Sequence, residues 1–445
     1  MHNNKQRTLT IVLILLILAF VGSLGWFLVD RFVDRSGWYQ QDGVYYYRDF
    51  HWKKVTGWRE IDGHYYYFGE DHAMQTDWLE LGEDRFRLGA DGALDFGWID
   101  ADGQRYYAGA DGILLTGWQV IDGNRYCFHD DGTMYTGWLW LDGKKHHFGA
   151  DGAQSIGFFS ENGETWFFGD DGSMYTGEHI LEGQIYLFNE DGTMYSGWMD
   201  TQSGRRFYQA DGPMCIGWQT IDDKHYYFDE TGAMQTGWLQ QGEYSYYLLE
   251  NGAAAVGPTV IDGETHFFTP MGIHVVLVNK NYSVPDYWET EYVDMGEWKL
   301  VSAFCYDALM EMLNDCVAAG NEYYFNSGYR SYAAQEEILK NRTLEHMDEF
   351  GIDYNQAYVK ARRSVALPGH SEHHLGVAVD ITGEDAQAWL AEHCWDYGFI
   401  LRYPEEKEDI TGVMDEPWHF RYVGTKVSLD MEGSGLCLEE YLGAA

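Results

Sequence analysis

Proline is scarce, with seven residues in 445, and bases are few: 29 Lys and Arg stand against 71 Asp and Glu, a formal net charge of −42. That balance excludes nucleic acid as a partner, because phosphate binding needs a basic footprint. It leaves room for cationic ligands, or serves only to keep the surface soluble. The six cysteines (Cys127, Cys215, Cys305, Cys316, Cys394, Cys437) include no C-x-x-C pair, which argues against a zinc ribbon or a thioredoxin-type motif. Cys305 and Cys316 fall in one expected helix, roughly 16 Å apart along its axis and out of disulfide reach. A disulfide would have to join separate elements, and the sequence assigns none. What the chain has instead is glycine, 52 residues, and an aromatic content of 17%. That aromatic load argues against disorder.

An uncharged run, TLTIVLILLILAFVGSLGWFLV, fills 8–29. As a helix it is about 33 Å long, enough to cross a bilayer core. The expectation is a short cytoplasmic tail at 1–7, a transmembrane anchor at 8–29 and a linker at 30–36. A cleaved signal peptide is the alternative, with small residues at Gly22, Ser23 and Gly25. Lys5 and Arg7 precede the run and Arg31 and Arg35 follow it, so the charge rule ties. The starting amine tips the orientation to N-terminus inside, with the remainder of the chain outside the cell.

From Gly37-Trp38 the chain repeats every twenty residues. Trp38, Trp58, Trp78, Trp98, Trp118, Trp138, Trp198, Trp218 and Trp238 share one register, half of the eighteen tryptophans. Such persistence defines a repeat array. In GWREIDGHYYYFGEDHAMQT (57–76), a strand starts at Trp58, Asp62-Gly63 makes a tight turn, and Tyr65 to Phe68 returns. A second turn and a short apolar piece around Met74 follow. Each unit is thus a β-hairpin plus a linker. A lone hairpin is marginal in water, so stacking must bury the aromatics and give a β-solenoid over 37–272.

This pattern resembles the choline-binding and glucan-binding type of cell-wall-binding repeat. The resemblance implies aromatic boxes between hairpins, holding choline by cation–π attraction or stacking on sugars. The matching positions are Trp58, Tyr66, Trp118, Trp138, Trp198, Trp218, Tyr226 and Trp238. One feature departs from the choline type. Tyr45 and Tyr65 keep an aromatic before the tyrosine pair, but later repeats carry Arg105, Arg125, Lys145, Ile185, His225 and Ser245 there. A base in the box wall would repel a quaternary ammonium, so the partner is a choline-bearing teichoic acid or, equally, a glycan. The same aromatics could instead be solenoid core.

After the repeats the texture changes. Residues 300–320, 331–347, 354–364 and 385–397 have helical spacing, while GVAVDI from Gly376 and EPWHFRYVG (416–424) read as strands. Without a βαβ rhythm, 276–445 is expected to be an α+β domain. Within it, PGHSEHHLGVAVDI (368–381) concentrates three histidines and an aspartate. His373, Asp380 and the later His419 offer three N/O ligands with one position open, the pattern of a catalytic zinc site. Zinc makes hydroxide available at neutral pH. Glu416, three residues before His419, can be the base, and Arg330 can hold an oxyanion or a substrate carboxylate.

SGYRS (327–331), SEHHLGVAVD (371–380) and EPWH (416–419), with LVNKNY (277–282) at the start, resemble the zinc D-Ala-D-Ala carboxypeptidases of the VanY type. The resemblance implies zinc on His373, Asp380 and His419, Glu416 as base, Arg330 stabilising the transition state, and Ser371 and Trp418 lining the substrate pocket. It implies removal of the terminal D-alanine from peptidoglycan stem peptides, or in some relatives cleavage of an L,D bond. His374 follows the ligand histidine where the family has an uncharged polar residue; the frame S-x-H-x-x-G-x-A-x-D selects His373, and a ligand at His374 would slip it by one. The whole reads as a multidomain chain: transmembrane helix, β-hairpin-repeat solenoid, α+β zinc peptidase domain. That organisation leads to the expectation of a membrane-tethered extracellular enzyme held on wall polymer. A non-catalytic wall-binding adhesin is the rival, and the intact Glu416 argues against it. A toxin-like glycan-binding protein finds no support outside the repeats.

Overall fold

A computed structural model describes residues 37–445. The apolar run at 8–29, with its expected membrane helix, lies outside these residues. Among the described residues no helix is long and apolar enough to cross a membrane.

Twelve hairpins run from Gly37–Gln41 with Val44–Arg48 to Gly257–Ile261 with Glu264–Phe268. The turn at Asp62-Gly63 has φ of 51° and 81°, the mirror-image turn whose twist suits a two-residue hairpin. Its register sets Trp58 opposite Tyr67 and Gly57 opposite Phe68. The second turn is closed by a carboxylate: Asp71 Oδ1 accepts from Ala73 N at 3.0 Å, and Asp91, Asp111 and Asp131 do the same in later repeats. The linker then brings Met74 back against Phe68.

Neighbouring hairpins are tied in two ways. The amides of Met74 and Leu94 donate to the carbonyls of Tyr45 and Tyr65 at 2.9 and 2.8 Å. Each register tryptophan also packs on the second-strand aromatic of the next repeat. Trp38–Tyr66, Trp58–Phe86, Trp98–Tyr126 and Trp218–Tyr246 have ring centroids 4.8, 5.0, 5.0 and 4.6 Å apart. These contacts, with Phe68, Phe128, Phe148 and Phe168 wholly buried, supply the core that a lone hairpin lacks.

The chain forms two compact units. One holds the described residues up to Leu181 with Leu187–Tyr195; the other holds Glu182–Tyr186 and Ser196–Ala445. In the second unit the repeat register runs past its expected end, because the last hairpin gains a third strand, His274–Val275. Tyr244, Tyr246, Phe267, Ile273 and Leu277 share one apolar cluster with Ile400, Val427, Met431 and Leu438 of the terminal domain.

That domain contains β1 (Tyr292–Asp294), β2 (Leu300–Ser302), α1 (Ala303–Ala318), β3 (Tyr324–Ser327), α2 (Tyr332–Phe350), α3 (Tyr354–Ala361), β4 (Ala378–Thr382), α4 (Glu384–His393), β5 (Phe399–Leu401), β6 (His419–Tyr422) and α5 (Thr425–Met431). The expected helix over 300–320 loses its first three residues to β2, which pairs with β1; Ser302 then caps α1 by accepting from Phe304 N at 3.2 Å. The expected helix at 385–397 stops at His393 and continues as a 3-10 turn, Cys394–Tyr397. The sheet order is β3-β4-β6-β5, antiparallel throughout. Val377, Val379 and Ile381 face the main core with Leu309, Leu313 and Leu390. All six cysteines are buried and free.

Candidate metal centre and aromatic faces

Strand alternation builds the site. With Val379 and Ile381 turned into the core, Asp380 must project from the opposite face of β4. The register sets Ser327 of β3 and His419 of β6 on either side of it. β6 is shorter than the strand expected over 416–424: Glu416 to Trp418 form a turn, in which His419 N donates to Glu416 O at 3.0 Å. His373 arrives from the 3-10 turn Glu372–Leu375, which Gly376 ends with φ of 73°. A Cβ at Gly376 would strike the Tyr292 ring.

The three side chains converge. His373 Nε2 lies 3.2 Å from Asp380 Oδ2, and His419 Nδ1 lies 3.1 Å from Asp380 Oδ1. One donor atom from each falls within 4.8 Å of the others. The far ring nitrogens face protein acceptors. His373 Nδ1 donates to Gly328 O at 2.7 Å. His419 Nε2 faces Glu372 Oε2 at 3.6 Å, an electrostatic contact beyond hydrogen-bond length, and neither atom has another partner. Oriented imidazoles with the second nitrogen on an acceptor are what a metal site needs, so the donor set fits a His2Asp cation.

The three groups are also coupled electrostatically. Burial opposes charge on Asp380, but His373 and His419 outweigh it and hold the carboxyl well below the usual range. Burial also opposes charge on His419, yet Asp380 and Glu372 raise it to about 9. Burial lowers His373. Glu416 lies 3.6 Å from His419 Nδ1, and burial raises its carboxyl above the ordinary value. Arg330 sits 3.5 Å from Asp380 Oδ2 and donates to Ser327 Oγ at 3.1 Å and Gln335 Oε1 at 2.9 Å.

These groups, with Ser371 and Trp418, line a cavity of about 320 Å³. Lys280, Arg362 and Arg363 line it too, an unusual concentration of bases in so acidic a chain. His374 is turned away. Its Nδ1 donates to Arg330 O at 2.6 Å, its Nε2 accepts from Gly369 N at 3.0 Å, and its ring stacks on Tyr332 at 4.3 Å. It clasps the loop and leaves His373 in the cluster. His370 braces the same loop through Asn279 O at 2.8 Å.

Sequence reading passed over Glu372. It is wholly buried and bound by Arg402 Nε at 2.9 Å and Arg421 Nη1 at 3.0 Å. Arg402 also grips Glu439 with two bonds of 2.8 and 2.7 Å. Buried charge of this kind marks no local pattern. Its one sequence signal is a lone acid between Ser371 and His373.

In the repeats, Arg105, Arg125 and Lys145, the bases expected to repel a ligand, cover the rings, and Arg85 and Arg205, not singled out from the sequence, do the same. Arg85, Arg105, Arg125, Lys145 and Arg205 lie over Trp78, Trp98, Trp118, Trp138 and Trp198, 4.3, 4.4, 4.9, 4.5 and 4.6 Å from the ring centroids. Three of the candidate ligand faces, Trp118, Trp138 and Trp198, are therefore taken by the chain itself. Tyr226 is buried against Trp198 at 5.0 Å, so packing occupies its ring, and Tyr66 lies half-buried under Trp38. Among the described residues, no lysine or arginine covers Trp58, Trp218 or Trp238 in this way.

Residues 299–425 match the VanY family model, described as D-alanyl-D-alanine carboxypeptidase. A putative carboxypeptidase of Bacillus subtilis, YodJ, is 33% identical over 204 residues, 41% of this chain and 71% of that protein. The chain belongs to the VanY family. A D-alanyl-D-alanine carboxypeptidase of Enterococcus faecalis is 37% identical over 175 residues; the match takes 38% of this chain and spans 65% of that relative's length. Upstream of the VanY region, a choline-binding repeat model matches 115–159 and 215–258, and a putative cell wall binding repeat model matches 56–71 and 156–174. Among solved structures, a VanY D,D-pentapeptidase mutant from a VanB-type cassette in complex with Zn(II) is 37% identical, covering 38% of this chain and 97% of that one, with a TM-score of 0.36. Choline binding protein F of Streptococcus pneumoniae, crystallised with a peptidoglycan analogue, is 25% identical and covers 54% of this chain and 99% of that one, with a TM-score of 0.36.

Proposed function

We propose that this chain is a zinc D,D-carboxypeptidase that removes the C-terminal D-alanine from peptidoglycan stem peptides. The observation that carries the reading is the convergence of His373, Asp380 and His419 beside Glu416 and Arg330 in one cavity. His373, Asp380 and His419 would hold the metal. When bound, zinc supplies Lewis acidity, which makes water a nucleophile at neutral pH. Glu416 takes the proton of the attacking water and returns it to the departing amine; its raised basicity suits the first half of that task. Arg330 faces the charge that develops on the scissile oxygen or the substrate carboxylate. Lys280, Arg362 and Arg363 suit a substrate that ends in a carboxylate, and Ser371 and Trp418 line its pocket.

The repeats hold the enzyme on wall polymer, a choline-bearing teichoic acid or a glycan. The run at 8–29 tethers it to the membrane with the remainder outside the cell. Many weak contacts to an insoluble polymer raise the enzyme's concentration beside its substrate.

The test is mass spectrometry of a stem pentapeptide and a stem tetrapeptide after incubation with the zinc-loaded chain, beside a chelator control and Glu416→Gln. The expected result is loss of one alanine from the pentapeptide, abolished by both controls. Cleavage of the tetrapeptide alone would change the specificity to L,D. Cleavage of neither would leave a wall-binding scaffold.

A further inference from the structure

Four lysine and arginine side chains line the metal cavity, and they are of two kinds. Arg330 is largely buried; it donates to Ser327 Oγ and Gln335 Oε1 and lies 3.5 Å from Asp380 Oδ2. Lys280, Arg362 and Arg363 are exposed at the mouth. Among the described residues, none of these three has a carboxylate within ion-pair distance. Lys280 Nζ donates to the carbonyl of Ile410 at 3.3 Å, and the Arg362 guanidinium lies 6.0 Å from the Tyr358 ring.

The acids of the cavity are engaged elsewhere. Glu372 is clamped by Arg402 and Arg421, Asp380 faces both histidines of the metal set, and Glu416 faces His419. Helix geometry does not explain the group either. Arg362 caps the C-terminus of α3, where a base is favoured, but Lys280 comes from the segment after the last hairpin. Gln335 fixes where the two arginines stand. It is buried, its Oε1 accepts from Arg330 Nη1 at 2.9 Å, and its Nε2 donates to Ala366 O at 2.9 Å. The stretch that carries Arg362 and Arg363 is thereby hung from the inner arginine. A terminal carboxylate lies one residue from the scissile bond, beside the metal ligands and Arg330. The exposed bases are left to meet a charge farther along the peptide.

We propose that Lys280, Arg362 and Arg363 form an outer subsite that binds a second carboxylate of the substrate, on a residue preceding the terminal D-alanine pair. The inference deepens the carboxypeptidase reading and rests on it. Guanidinium and ammonium groups without an internal partner are free to take a carboxylate in charge-assisted hydrogen bonds. In a chain of formal charge −42 they also offset the field that would repel a peptide with more than one negative charge. A stem peptide offers such a carboxylate from two sources: the side chain of a diaminodicarboxylic acid in its third position, and the α-carboxylate of a γ-linked glutamate in its second.

Steady-state kinetics of the full zinc-loaded chain with four pentapeptides test this. One keeps both carboxylates, one has lysine in the third position, one has the glutamate amidated, and one has both changes. Loss of the carboxylate that is bound should lower kcat/KM about three- to tenfold, mostly through KM. The peptide that shows the drop names the source. The same order should appear in calorimetric binding to Glu416→Gln, which holds the peptides uncut. Replacing the three bases together, Lys280→Gln with Arg362→Gln and Arg363→Gln, should erase the difference between peptides. Arg363→Glu should turn the preference towards the peptide that lacks the carboxylate, a gain that a damaged fold cannot produce. Bases that served only the terminal carboxylate, common to all four peptides, would on replacement slow all four alike and leave the difference in place; that outcome overturns the proposal. Equal kcat/KM for the four peptides in the parent chain also overturns it and leaves the carboxypeptidase reading standing. Cleavage of none of them sinks that reading, and this inference with it.

Discussion

Glu416 and Glu372 are both acids within reach of His419, but their surroundings give them different work. Glu416 lines the cavity and burial raises its carboxyl. It must be ionised to accept a proton, so activity should fall as pH drops through a value above the ordinary carboxyl range. That acidic limb of kcat/KM should vanish in Glu416→Gln, whose kcat should drop by about 10²–10⁴ with metal content unchanged by atomic absorption. Glu372 instead has no solvent exposure in its side chain and is clamped by Arg402 and Arg421, which hold it well below the usual carboxylate range against the cost of burial. Glu372→Gln should leave two buried guanidinium groups short of charge and cost about 3–5 kcal/mol in denaturant unfolding. It should also weaken metal affinity by roughly 10–100-fold, read by competition with a chelator, because His419 loses the carboxylate charge that faces its Nε2 at 3.6 Å.

At the scale of the hairpin, one tryptophan serves three contacts. Trp98 packs on Tyr107 of its own hairpin, on Tyr126 of the next, and under Arg105. Trp98→Ala should cost roughly 3 kcal/mol. The loss should stay local, because each repeat touches only its neighbours; hydrogen exchange should quicken in the hairpins Gly97–Ala108 and Gly117–Phe128 and stay unchanged in the peptidase domain. Replacing Gly63, at φ of 81°, by alanine should cost about 1 kcal/mol for the left-handed turn.

The second compact unit determines how the molecule can be cut. Tyr244, Tyr246 and Phe267 bury Ile400, Val427 and Leu438, and Arg421 donates to Val276 O at 2.8 Å. A chain beginning at residue 276 should therefore expose that apolar face and aggregate. One beginning at residue 182, which keeps the whole unit, should keep that face covered and show no aggregate by light scattering. Acid should loosen the same region. His274 falls to about 4 when folded, mainly through burial, from an ordinary value of 6.5. Its contribution is complete above pH 6.5 and is lost as pH falls towards 4, because only the unfolded chain takes up the proton in that window. The shift amounts to roughly 3 kcal/mol, and melts of His274→Phe should show a flatter pH dependence than the parent chain.

The sequence by itself determined the twenty-residue period and the hairpin turns, and it singled out His373, Asp380, His419 and Glu416, which the fold brings together, because each is written in local spacing or in short motifs. It also showed bases after the tryptophans, but not where they lie. Only the fold placed Arg125 on the face of Trp118, since a ring's cover depends on cross-strand register and side-chain direction. A change of texture after residue 272 was legible, although the last hairpin continues into a third strand, His274–Val275. The core across it was not, because hydrophobic patterning says that a face is buried and leaves its partner unnamed. Glu372, Arg402, Arg421 and Glu439 escaped for the same reason: buried charges are matched through space, across up to 67 residues of chain, and no periodicity carries that information.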